Sequence, residues 1–307
     1  MSVVRIATRA SELALAQSTW VAGRVAAALG LGTTLVPMRT TGDRIQDVSL
    51  AKIGGKGLFV KEIEEALLER RADLAVHSAK DLPAATPEAL TLAAFPERED
   101  PRDALVARER GARVADLRRG ARVGTGSARR AAQLLAFRPD LVIVPLRGNV
   151  PTRLRKLESE GLDAVVLACA GLARLGLAER IDERIAPEIL LPAVAQGTLA
   201  LETRADDPLA GRIARLSDPA AAGSAAAERA FLARLEGDCN VPIAAFAEAE
   251  GGGWRVRGLV ADTDGRRIVR GEAAAADPHE AGVAAAEAVL AAGGDAVLAR
   301  LRSGAAP

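Results

Sequence analysis

The chain contains no tyrosine, and its aromatic residues amount to 2% of 307 positions. So few rings provide no stacking platform for single-stranded nucleic acid. Lys and Arg total 41 against 40 Asp and Glu, a formal net charge of +1, so no global field recruits nucleic acid or a membrane. Two cysteines and two histidines give neither a disulfide framework nor a metal-ligand spacing. No apolar run reaches the ~18 residues of a membrane span. The first strand is expected from about Val3, which leaves no room for a signal peptide. These absences predict a cytoplasmic protein with no metal, membrane or nucleic-acid partner. Lysine is scarce as well. Four of the five lysines (Lys52, Lys56, Lys61 and Lys80, but not Lys156) fall in one short region, which points to a use there for flexible point charges.

What is present is ordinary for a globular chain: 49% hydrophobic and 26% charged residues. The length predicts about two domains. The opening segment reads as a strand, Val3 to Ala7, then Thr8-Arg9-Ala10-Ser11, then a helix from Glu12 to Leu29. Ser11 is a good N-cap, and with Arg9 and the first N–H groups of the helix it has the make-up of an anion site. A plain cap beside a solvated arginine is the equal alternative. A strand over Thr34–Arg39 follows. Ser49 to Gly57, with Gly54, Gly55 and Gly57, is either a lid carrying Lys52 and Lys56 or a flexible connector; it lacks phosphate-loop spacing. Phe59 to Arg70 predicts an amphipathic helix.

Leu74 to Val76 predicts a buried strand that runs out into His77-Ser78-Ala79-Lys80-Asp81. Ligands of α/β folds bind at such strand ends. Asp81 has no evident capping task and is the candidate key carboxylate. After a strand over Leu90–Phe95, Pro96 to Asp103 reads as a charged, proline-bounded hinge whose charges are solvated or mutually paired. The βα grammar then repeats. Arg122 to Thr125 ends a strand, and Gly126-Ser127-Ala128-Arg129-Arg130 opens a helix up to Phe137. Arg129 stands where a dinucleotide fingerprint needs its third glycine, so the segment suits small carboxylates instead. Strand Leu141–Leu146, turn Arg147-Gly148-Asn149, helix Val150–Ser159 with Arg153, and strand Ala164–Ala168 follow, leading to Arg174. Leu191 to Gly197, containing Gln196, returns to a strand over Thr198–Thr203. The expectation is two lobes joined by two crossings, with Arg9, Arg129, Arg130, Arg147 and Arg153 lining one cleft.

Asp218 is a candidate cap for a helix over Ala220–Leu235, with Gly237 as its left-handed stop. Cys239 follows on a tight loop ahead of three strands, Val241–Ala247, Trp254–Val260 and Ile268–Ala275, and alanine-rich helices from about Glu280. Cys169, in an apolar strand, suits a buried core residue. Cys239 has polar neighbours, and the carboxylates of Glu236 and Asp238 disfavour a thiolate. That argues against an acyl-transfer nucleophile and for a sulfur that forms one bond and keeps it.

Together Ala7–Ser11, Gly54–Phe59, His77–Asp81, Glu97–Asp103, Gly124–Arg130, Leu146–Arg153 and Glu236–Pro242 resemble the hydroxymethylbilane synthase (porphobilinogen deaminase) family, in order along essentially the whole chain. The resemblance implies an α/β fold of two lobes like a type II periplasmic binding protein, joined by a double hinge, and a small α+β C-terminal domain with a three-stranded antiparallel sheet. It implies domains of 1–97 with 197–216, 98–196, and 217–307. It implies a dipyrromethane cofactor on Cys239 through a thioether, stepwise head-to-tail joining of four porphobilinogen units with loss of ammonia, and a monomer. It implies Asp81 as catalytic residue; Lys80, Thr125, Ser127, Arg129, Arg130, Arg147 and Gly148 with Asp81 on the cofactor; and Arg9, Ser11, Lys52, Lys56, Phe59, Ser78, Arg153, Arg174 and Gln196 on the substrate. The sequence departs from the family pattern at Ala79, at Gly126 (usually Ser), at Ala195 (usually Gly), and at Asp238 and Asn240 beside the anchor. Two other readings are weighed against it. A non-catalytic effector-binding pair of lobes leaves Asp81 and Cys239 unexplained. A cysteine-nucleophile transferase lacks a placed base.

Overall fold

The structure, a computed structural model, describes residues 3–44, 60–237 and 241–303. The described chain divides into two compact units, one built from residues up to Glu99 with Thr198–Ala222, the other from Asp100–Gly197 with the residues from Gly223 on.

In the first unit β1 (Val3–Arg9) runs into α1 (Glu12–Leu29), followed by β2 (Gly32–Met38), α2 (Lys61–Leu68), β3 (Leu74–Ser78) and β4 (Leu90–Ala94). The first helix starts where the sequence predicts: Ser11 Oγ accepts the Ala14 N–H, and Gly30 ends the helix at φ 63°. The sheet order is β2-β1-β3-β10-β4, with β10 being Leu199–Arg204. Strands β1, β2 and β3 are parallel, and β10 lies antiparallel between β3 and β4. Val4, Ile6, Val21, Val25, Leu74 and Leu201 form the core between sheet and helix.

The second unit repeats this plan. Strands β5 (Asp103–Ala107), β6 (Arg122–Gly124), β7 (Val142–Val144), β8 (Ala164–Ala168) and β9 (Glu183–Ile185) lie in the order β7-β6-β8-β5-β9. Strand β6 is parallel to both neighbours, and β5 is antiparallel to β8 and β9. In each sheet, then, the antiparallel strand is the first one the chain forms after crossing into that unit. The helices are α3 (Ala128–Phe137), α4 (Val150–Ser159) and α5 (Cys169–Arg174). Cys169 is therefore the first residue of a helix and not part of the strand before it; it is buried as expected.

Helix α6 (Pro219–Arg234) has Asp218 as its cap, Oδ1 accepting the Ala221 N–H at 2.8 Å. The left-handed residue after it is Glu236, at φ 50°, where the sequence predicted Gly237. Gly237 is there for space: a Cβ on it would lie 2.4 Å from Ile243 Cδ1. Strands β11 (Ile243–Glu250), β12 (Gly253–Ala261) and β13 (Ile268–Ala275) make the expected antiparallel meander. Helices α7 (Pro278–Val289) and α8 (Asp295–Ser303) follow, and α7 buries Ala281, Ala285 and Val289. Contrary to the sequence expectation, the helical run Pro278–Ser303 is long and apolar enough to cross a membrane by length and composition; 44% of its most apolar window is buried within the protein. The fold class is thus two α/β lobes plus a domain with a three-stranded antiparallel sheet, assigned on strand order.

Candidate functional site

In the first unit, strand ends place the expected residues around one pocket. Arg9 is the last residue of β1, Ser78 the last of β3, and Lys80 and Asp81 sit on the 3-10 turn that follows. Arg9, Ser11, Gln17, His77, Ser78, Lys80 and Asp81 line the pocket together, on an apolar floor of Val60, Ile63 and Val76. Arg9 Nη1 and Asp81 Oδ2 are 3.9 Å apart, too far for a hydrogen bond, and the two side chains are 25% and 36% exposed. Asp81 thus stands beside a cation without being locked to it, at the rim of a cavity with apolar walls. The Gln17 amide and the Ser78 hydroxyl are within 3.1 Å. Ser11 has the capping role, its Oγ serving Ala14 N. Lys52, Lys56 and Phe59 lie outside the described residues.

In the second unit the hydroxyls shape the turn. Thr125 Oγ1 accepts the Ser127 N–H at 3.2 Å, and Ser127 Oγ caps α3 by accepting the Arg130 N–H at 3.4 Å. Gly148 sits at φ 114°, a conformation that side chains avoid, and Asn149 Oδ1 caps α4. Arg153 Nε donates to the Gly148 carbonyl at 2.7 Å, and Arg174 Nη2 to the Gly197 carbonyl at 2.6 Å. Arg147 is half-buried, with no hydrogen bond or ion pair among the described residues. Gly126 has little room for a side chain: a Cβ there would meet the Leu146 carbonyl oxygen at 2.5 Å.

Arg129 and Arg130 turn inward, and they meet a residue that sequence reasoning left among solvated or paired linker charges. Asp103, at the start of β5, is fully buried. It accepts from Arg129 Nη1 at 2.8 Å, from Arg130 Nε at 2.8 Å, and from Gln196 Nε2 at 3.0 Å. Arg129 Nη1 also reaches the Leu191 carbonyl, and Arg130 Nη1 the Val166 carbonyl. Burial pushes the Asp103 carboxyl up, but the two guanidiniums outweigh it and hold the group well below the usual carboxylate range. Two cations share one anion, so the cluster carries one excess positive charge. Of the other linker charges, Arg102 and Asp100 pair at 2.7 Å. A signal for Asp103 was present: Ala104-Leu105-Val106-Ala107 behind it is a short apolar run, which makes it the entry to a buried strand.

The Ala195 departure has a structural cost. Ala195 is buried at φ 55°, a left-handed conformation that glycine fills without strain. Its N–H donates to Glu228 Oε2, and Glu228 Oε1 also accepts the Ala247 N–H at 2.9 Å. Glu228 thereby ties the segment carrying Gln196 to β11. The expected anchor, Cys239, lies outside the described residues. Cys169 Sγ is no rival for it: burial and the carboxylates of Asp100 and Asp103 push its thiol up to about 12.

Comparison with known proteins bears directly on these features. Residues 4–211 match the family model described as porphobilinogen deaminase, dipyromethane cofactor binding domain, and residues 223–291 match the model for the porphobilinogen deaminase C-terminal domain. Porphobilinogen deaminase from Syntrophotalea carbinolica is 53% identical over 304 residues, 98% of this chain and 96% of that protein. The protein of the same name from Roseiflexus castenholzii is 53% identical over 298 residues, covering 96% and 98%. Among solved structures, a periplasmic substrate-binding protein of an ABC transporter from Coxiella burnetii is similar at 17% identity and a TM-score of 0.43, covering 74% of this chain and 96% of that one. The VFT2 domain of Bordetella pertussis BvgS is similar at 20% identity and a TM-score of 0.41, covering 70% and 86%. With both domain models matched in order, and relatives of the same name covering nearly all of its length, the chain belongs to the porphobilinogen deaminase family.

Proposed function

We propose that the protein is a hydroxymethylbilane synthase, which condenses four porphobilinogen molecules head to tail onto a dipyrromethane primer, with loss of ammonia, and releases the linear tetrapyrrole by hydrolysis. The observation that carries this reading is Asp81, a carboxylate at a strand end beside Arg9 and Lys80 in a pocket with apolar walls. The residues fit the cofactor's chemistry. Pyrrole acetates and propionates call for cations with donors to spare, and Arg147 has its whole guanidinium uncommitted among the described residues. A pyrrole N–H calls for a carboxylate acceptor, and Asp81 provides one.

In this proposal Cys239 holds the cofactor, and 217–307 is its anchoring domain, beside lobes of 1–97 with 197–216 and of 98–196. Thr125, Ser127, Arg129, Arg130, Arg147, Gly148 and Lys80 bind the cofactor. Arg9, Ser11, Lys52, Lys56, Phe59, Ser78, Arg153, Arg174 and Gln196 bind substrate. When bound, the cofactor supplies the nucleophilic pyrrole carbon to which the first new unit is joined. Asp81 orients the incoming ring through its N–H and stabilises the cation left on substrate as ammonia departs. A cytoplasmic monomer without membrane or nucleic-acid partners completes the proposal.

The test is turnover of porphobilinogen by wild type and by Asp81→Asn. Asp81→Asn should fold, keep its cofactor and lose about 10²–10³ in rate, the cost of removing one preorganised electrostatic group. Wild-type protein that makes no tetrapyrrole, or an Asp81→Asn variant of normal rate, would refute the assignment.

A further inference from the structure

His77 and Glu202 form a buried pair beside the Asp81 pocket, and nothing above uses it. In the ladder His77 lies opposite Ala200, so Glu202, two residues along β10, is its diagonal neighbour on the same face. His77 Nε2 and Glu202 Oε2 are 2.9 Å apart, and the side chains are 3% and 0% exposed. Two details separate this pair from a simple tie between strands. Glu202 Oε1 is buried with no hydrogen-bond partner among the described residues, whereas buried carboxylate oxygens are ordinarily satisfied. His77 Nδ1 makes no hydrogen bond among the described residues, while His77 lines the same pocket as Asp81. One ring nitrogen is backed by a carboxylate and the other is uncommitted. That is the arrangement in which an imidazole accepts a proton and a neighbouring carboxylate stabilises the imidazolium.

The charged groups around the pair are Glu202 on β10, Glu64 on α2, Arg9 at the end of β1, and Lys80 and Asp81 after β3. Glu64 is held above its ordinary value by burial first and by Glu202 second, while His77 pulls it down.

The condensation needs a proton acceptor. When the new carbon–carbon bond forms, the attacking ring carbon still carries its hydrogen, and the ring becomes aromatic again only when that hydrogen leaves as a proton. In the function proposed above Asp81 is engaged with a pyrrole N–H, which leaves this proton to a second group at the pocket. We propose that His77, backed by Glu202, takes this proton. The C–H electron pair returns to the ring, the proton goes to the imidazole, and from there to the departed ammonia, which leaves as ammonium. Bonds, charges and protons balance without an oxidant or reductant. This inference rests on the function proposed above.

The experiment compares porphobilinogen with protium or deuterium at its free ring carbon, on holoenzyme, from about pH 5.5 to 8, the range in which histidine ordinarily titrates. His77→Gln should retain the cofactor by intact mass and slow turnover by about 10²–10³-fold. It should also show a larger isotope effect than wild type, because carbon–hydrogen cleavage has become limiting, and should flatten the acidic limb of the rate profile. Glu202→Gln should move the same three readouts in the same direction. A His77→Gln enzyme of near-normal rate, or a slowed one with unchanged isotope effect and pH profile, overturns the proposal and leaves a structural tie. Should neither variant fold, wild type decides. Its isotope effect should grow as pH falls and the acceptor becomes protonated, and an isotope effect independent of pH refutes the inference. Wild type without any turnover would instead refute the function.

Discussion

Asp103 offers the sharpest energetic prediction. It is fully buried and receives donors from Arg129, Arg130 and Gln196, while the arginine side chains are only 6% and 7% exposed. Asp103→Asn keeps the shape and removes the charge, so two guanidiniums remain in the interior with no counter-ion. Breaking a buried pair by losing one partner costs about 3–5 kcal/mol. Against a typical total of about 5–15 kcal/mol this is a large share, and at roughly 2–4 °C per kcal/mol it lowers Tm by roughly 6–20 °C. Urea titration of wild type and variant measures it, and Asp103→Asn with Arg130→Gln tests the assignment. The double variant should cost less than the sum of the singles, because the Arg130–Asp103 contact is lost in each single variant and only once in the double, and Arg129 alone is then left without its counter-ion. The pH dependence has a definite sign. Asp103 titrates below its unfolded value, about 3.9, so the folded chain binds fewer protons. Its contribution is complete above that value and is lost as pH falls toward the lowered folded pKa. Loss of stability on acidification below about pH 4 should therefore be shallower in Asp103→Asn. An Asp103→Asn protein within about 1 kcal/mol of wild type, beneath the cost of one unsatisfied buried group, would refute the claim that this carboxylate is the shared counter-ion of the two arginines.

Three further outcomes follow from particular residues. Ala195→Gly relieves a left-handed alanine worth about 1–2 kcal/mol and gives back about 0.4–1 through unfolded-state entropy, so calorimetry should find Tm unchanged or raised, never lowered by several degrees. Arg147→Leu should leave the melting temperature nearly unchanged, since this guanidinium pairs with nothing among the described residues, yet lower the fraction of protein carrying cofactor, read by intact mass. Cys169 should resist alkylation in the native protein, being buried with its thiol pushed up to about 12; rapid native labelling of Cys169 would contradict its placement.

Much of the fold was legible because local chemistry and tertiary placement agree. Ser11, Asp218 and Gly30 mark helix ends by capping geometry, and β3 is a run of apolar residues that empties into polar ones at the pocket. The Asp81 neighbourhood was legible for the same reason, since strand ends of α/β sheets are where side chains converge. What escaped was set by partners remote in the chain. Asp103 looks like one more linker charge until β5 inserts between β8 and β9 and brings Arg129 and Arg130, 26 and 27 residues on, against it. Likewise His77 is an isolated histidine until β10 returns Glu202 from 125 residues away. The left-handed turn after α6 falls on Glu236 because Gly237 is needed for the contact with Ile243, a reason no local propensity contains.

The central claim, a sulfur that carries a primer of two pyrroles in a family enzyme, is tested most directly by weighing the intact purified protein under denaturing conditions. The account predicts a covalent addition equal to two porphobilinogen-derived units on wild type, localised by peptide mapping to Cys239 and absent from Cys239→Ala. Active wild-type protein of unmodified mass, or an addition that persists in Cys239→Ala, would contradict it.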